Sequence, residues 1–115
     1  MADAILLIGW SRPQAGQEDK AMNYVTNEGL KYLRGLEGKY FERFEMFGLT
    51  AHGGDLNMAI ILHGQRAKLD ELRRTDEFEA FSFKLGSLVN DLRVVPGLSW
   101  EGIQKVMTRM ASMQR

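Results

Sequence analysis

The 115-residue chain contains no cysteine, which excludes disulfides, thiolate nucleophiles and thiolate-bound metal. Proline is scarce, with only Pro13 and Pro96, and no low-complexity linker or internal repeat interrupts the chain. One domain over residues 1–115 is therefore expected, with residues 99–115 as an appended helix. There is no excess of either charge, because fifteen basic and fifteen acidic residues cancel. A general nucleic-acid binder needs a basic surface to release counterions, so that class is not expected. No apolar run approaches the roughly 18 residues of a membrane span, and Met-Ala-Asp-Ala lacks the basic start of a secretory signal, which makes the cytoplasm the expected location. His52 and His63 are the only imidazoles, with neither an i, i+4 pair nor an HExxH pattern, so no metal site is expected. None of the twelve glycines falls in a phosphate-cradling pattern, and no cofactor is expected.

What is present is organised around a hairpin over residues 40–64. In the first run, Tyr40, Glu42, Phe44 and Met46 alternate with Phe41, Arg43, Glu45 and Phe47. The second face carries a charged pair, Arg43 and Glu45, between aromatics. Burying an unpaired charge costs several kcal/mol, so the pair is solvated, mutually bonded or lining a polar cavity. The second run, residues 56–62, is the more apolar and reads as a central strand. Between the runs, His52-Gly53-Gly54-Asp55 has the composition of a chain reversal, with glycines that accept positive φ and an aspartate that bonds nearby amides. A turn does not require His52. An imidazole beside a carboxylate suits proton transfer near neutral pH, whereas a histidine next to Gly-Gly also fits a plain exposed loop.

Before the hairpin, residues 4–10 form a short apolar run ending in Trp10, a strand candidate with Leu6, Ile8 and Trp10 on one face. Trp10 either closes the core or walls a ligand cavity. Ala21, Met22, Val25, Gly29, Tyr32, Leu33 and Leu36 then recur at helical intervals. After the hairpin, residues 65–74 read as a short charged helix. Thr75 reads as the N-cap of a second, with Phe78, Phe81, Leu85, Leu88 and Val89 as its buried stripe and Asp76, Glu77 and Glu79 at its positive end. Residues 92–98 form the last strand candidate, which Pro96 restricts to a short or edge position. Ser99 caps a terminal helix with Ile103, Val106, Met107, Met110 and Met113 along one side.

Strand, helix, hairpin, helices, strand is the βαββαβ order of an α+β ferredoxin-like fold, here with an added C-terminal helix. Helices cover one sheet face and leave the other open, and an apolar open face needs a partner. At this level the chain resembles the dimeric α+β barrel superfamily, whose members include antibiotic-biosynthesis monooxygenase-like, stress-responsive and YCII-like small proteins. That resemblance implies a homodimer with sheets face to face. The stretch His-Gly-Gly-Asp-Leu-Asn before an apolar strand, with Arg-Ala-Lys-Leu-Asp-Glu-Leu-Arg after it, also looks like a group of uncharacterised small bacterial proteins. YCII-like members use a His-Asp pair in a differently arranged sequence, so reading His52 and Asp55 that way is an analogy.

Two functions follow as expectations. One is a small-molecule binder or cofactor-independent enzyme with its pocket between sheet and helices. It would use His52 as acid or base, Asp55 as its orienting partner, Arg43 and Glu45 as ligand contacts and Trp10 as a wall. The other is a non-enzymatic dimeric scaffold or regulatory module docking through its Met-rich terminal helix.

Overall fold

The computed structural model describes residues 2–50 and 52–114. Four antiparallel strands, β1 (Ala4–Trp10), β2 (Arg43–Gly48), β3 (Met58–Gly64) and β4 (Arg93–Leu98), form one sheet in the order β2-β3-β1-β4. The most apolar runs take the two central places, and Pro96 lies on an edge strand, where a missing N–H is tolerated. Helices cover one face. They are α1 (Glu18–Asn23), a π-helical stretch Tyr24–Gly29 and α2 (Leu30–Leu36) after β1, then α3 (Arg66–Arg73) and α4 (Asp76–Gly86) after β3. A final helix, α5 (Trp100–Met113), follows β4.

The core lies between the sheet and these helices, with Leu6, Ile8, Leu33, Ile60, Leu62, Leu72 and Leu85 fully buried. Phe81 of α4 meets Tyr24, Tyr32 and its own helix neighbour Phe78 at ring centroid distances of 6.1, 5.3 and 5.9 Å. Thr75 caps α4 as its sequence position requires, its hydroxyl accepting from the Phe78 amide at 3.2 Å.

Three local features differ from the sequence expectation. Helix α4 ends at Gly86, so Leu88 and Val89, expected on its stripe, are buried in the segment beyond it. The first helical segment is not α-helical throughout. Its buried residues Ala21, Val25, Gly29 and Leu33 are spaced by four, a spacing that drifts about 40° per step around an α-helix. The wider π turn runs the drift backwards and keeps all four against the core. Gly29 belongs to this seam, since a Cβ there would lie 3.3 Å from the Tyr24 carbonyl oxygen and 3.4 Å from the Phe81 ring.

The hairpin also closes differently. Its strands end at Gly48 and begin again at Met58, so the connection is a long loop and not a tight turn. Gly53 alone among its glycines takes positive φ, at 80°. Gly54 is needed for another reason: a Cβ there would sit 2.6 Å from the His52 ring.

Candidate functional site

The face of the sheet turned away from the helices carries three cross-strand rows, fixed by register. Arg43, His63, Ile5 and Gly97 form the first row, Glu45, Ile61, Leu7 and Val95 the second, and Phe47, Ala59, Gly9 and Arg93 the third. The hairpin loop folds over the third row. Leu56 lies on Gly9 so closely that a Cβ on that glycine would be 2.5 Å from the Leu56 methyl. Beside it, Asp55 makes a forked pair with Arg93, at 3.2 Å from Nη2 and 3.4 Å from Nη1. The first row lies at the other end, where Glu101 of α5 is near enough to act on the charge of His63. The middle row, apolar apart from Glu45, has neither cover, and Val95 is 47% exposed.

Within the loop, His52 uses both ring nitrogens locally. Nδ1 accepts from the Gly54 amide at 3.1 Å, which makes Nε2 the protonated nitrogen, and Nε2 donates to the Leu56 carbonyl at 2.7 Å. His52 thereby staples the loop that holds Leu56 over the sheet. Asp55 turns to Arg93 and not to His52, and that guanidinium holds its carboxyl below the usual carboxylate range. Arg43 and Glu45 are ion-paired with each other along β2 on the same open face. Trp10 is on the opposite side of the sheet, 3% exposed, closing the core. The structure therefore brings Asp55, Arg43 and Glu45 to the open face, staples His52 into the loop above it, and leaves Trp10 apart.

Sequence reasoning singled out His52, and His63 is the imidazole in the more unusual surroundings. Its Nε2 is buried without a hydrogen-bond partner. Burial, and then the positive charge of Arg43 opposite it, push its pKa below the ordinary 6.5, against the pull of Glu45, Glu101 and Glu42. The signal for it was a polar residue in an otherwise apolar strand. Assigning its neighbours required the register.

A cleft lies at the other end of the sheet. It sits between α3, the β1–β4 edge and α5 and has a volume of about 260 Å³. Ile5, Leu69, Leu98 and Val106 give it apolar walls, and Arg66 and Asp70, one helical turn apart with Nε–Oδ2 at 3.9 Å, are its charged groups. Ala4 lines this cleft while Trp10, at the other end of β1, is beside the loop, so the two places are about 20 Å apart. Among the described residues, no group of three or more metal-ligating side chains is clustered. No helix there is long and apolar enough to cross a membrane.

No family model matches the chain, and no curated protein matches it. Solved structures do. An ethyl tert-butyl ether D (EthD) family protein from Bacillus halodurans superposes with a TM-score of 0.64 at 15% identity, over 83% of this chain and 96% of that one. HapK from Hahella chejuensis gives 0.60 at 15% identity, over 81% and 90%. A dimeric protein of unknown function and ferredoxin-like fold from Bacteroides fragilis gives 0.58 at 13% identity, over 84% and 96%. At such identities the likeness concerns architecture alone. The fold is ferredoxin-like α+β, with α5 following the last strand.

Proposed function

We propose that the protein is a homodimer that binds a small, mostly apolar molecule in the cleft between α3, the β1–β4 sheet edge and α5. The observation that carries the reading is the cleft itself. Its apolar walls and paired Arg66 and Asp70 support a small ligand, because apolar surface supplies affinity and few polar groups fix orientation, and its volume of about 260 Å³ is at the lower margin of such sites. Arg66 suits an anionic end of the ligand. Cofactor-independent chemistry there would fall to Asp70, the one carboxylate lining the cleft.

The dimer is supported by the bare middle row of the sheet and by the dimeric state of the Bacteroides fragilis protein of the same fold. His52 and Asp55 in this reading shape the loop, and Arg43 and Glu45 keep the open face from being wholly apolar.

The test is a fragment screen by thermal shift, followed by Val106→Trp to fill the cleft. A ligand at a hundred times its dissociation constant adds about 2.7 kcal/mol of stability. Val106→Trp should abolish that gain, while His52→Ala, at the far end of the sheet, should leave it intact. Binding that survives Val106→Trp and disappears with His52→Ala would move the site to the loop.

A further inference from the structure

The terminal helix α5 is anchored firmly at its beginning and bare along most of its length. Ser99 Oγ donates to the Ala2 carbonyl at 2.9 Å and accepts from the Gly102 amide at 3.2 Å. Lys105 Nζ reaches Asp3 Oδ2 at 3.2 Å. These bonds set the direction in which the helix leaves the domain. Yet Trp100 is 63% exposed, Met107 59%, Met110 55% and Met113 77%. With Ile103 they recur at intervals of three and four, so they occupy one side of the helix. Gln104, Thr108, Glu101 and Ser112 fall on the opposite side, which water already serves.

This stripe is continuous with the uncovered sheet face. Val106 borders the stripe and shares the cleft with Ile5, and Ile5 stands in the first row of the open face. The sizes indicate one occupant for both. With the third row under the loop, the two remaining rows across four strands present about 20 by 13 Å, or about 260 Å². That is about a third of the ~800 Å² that each partner contributes to a stable interface. A fourteen-residue helix adds a strip about 21 Å long and about 10 Å wide, or about 200 Å². The chain is also 58 Å long against 34 and 19 Å in the other directions, a shape with an arm that a second body can lie beside.

We infer that the apolar side of α5 packs on a second copy of this chain, so that each protomer grips its partner with the helix as well as with the sheet. This rests on the homodimer reading above. The flexible, polarisable methionines let this side of the helix adapt to the surface it meets.

Sedimentation of the full chain over a dilution series tests it, with the wild type, Met107→Asp/Met110→Asp on α5, and Leu7→Asp on the open sheet face. The wild type should be a dimer, and both variants should dissociate at concentrations higher by roughly 100-fold or more. Hydrogen exchange on the wild type supplies a second readout free of any mutational damage, with α5 amides protected in the dimer and losing that protection on dilution. If Leu7→Asp dissociates while the α5 variant keeps wild-type affinity and α5 exchange ignores concentration, the grip by α5 is refuted and the sheet dimer stands. A wild type that is monomeric at every concentration overturns both.

Discussion

Replacing Gly102 by alanine sets two physical effects against each other, and the structure decides the sign. In an exposed helix the change stabilises by about 1 kcal/mol, since glycine is the poorest helix former after proline. Here the new Cβ would overlap the Asp3 carbonyl oxygen, with the Asp3 carbonyl carbon at 3.1 Å and a Leu98 methyl at 3.2 Å. Backbone on both sides leaves no flexible atom to give way at the closest contact, so the first turn of α5 has to move outward by about 1 Å to reach ordinary contact. Such a shift takes the 2.9 Å bond from Ser99 to Ala2 and the 3.2 Å pair between Lys105 and Asp3 out of range. The lost hydrogen bond costs about 1 kcal/mol, and weakening of the cap about another 1. The exposed ion pair adds little. The balance is a loss of about 1 kcal/mol, where helix propensity alone would give a gain of the same size. Urea unfolding should show the midpoint falling with unchanged slope, and the thermal midpoint should drop by about 3 to 5 °C. Amides of Gly102 and Ile103 should exchange faster. A Gly102→Ala protein that is more stable than the wild type, with α5 exchange unchanged, would refute the close packing of α5 on the start of β1.

Three further outcomes follow from named contacts. The native His63 imidazole releases its proton at lower pH than the unfolded one, so the unfolded chain binds more protons as pH falls below the ordinary 6.5. Stability should decline from there towards the folded value, and His63→Leu should flatten that part of the urea-midpoint profile; an unchanged profile would remove His63 as its source. Gly54→Ala should drive the His52 ring from its 2.7 Å bond to Leu56, raising the exchange rate of the Gly54 amide and leaving the core intact, as a two-dimensional amide spectrum would show. Leu62→Ala empties a fully buried site between β3 and the helices and should cost about 2 to 5 kcal/mol by denaturant titration, with a cost below about 1 arguing against that core.

The open sheet face has an order that bears on both proposals. A loop closes one end of it and α5 flanks the other, so the uncovered surface is a band across the middle of all four strands. A partner laid on that band meets the charged pair of Arg43 and Glu45 at one side, which favours one register of approach over a slide along the strands. The cleft opens on the α5 end, and movement of α5 on pairing would alter its walls through Val106.

Much of this protein is set by patterns that act within a few residues. Alternation and helical spacing marked every strand and helix, Thr75 and Ser99 declared their caps, and Pro96 kept β4 at an edge. The π-helical turn escaped notice because spacing by four reads as ordinary helix until a core face fixes the phase. The site was less legible. His52 and Asp55 are three residues apart, yet Asp55 bonds Arg93, 38 residues away, because the loop folds back over the third row of the sheet. His63 gained its buried nitrogen and its charged neighbours from strands far along the chain. The stripe on α5 was plain from spacing alone, whereas its exposure depends on where the anchored first turn aims the helix. Local chemistry fixes what each segment becomes, and strand order and register fix which side chains meet, since those contacts join segments that no short stretch of chain contains.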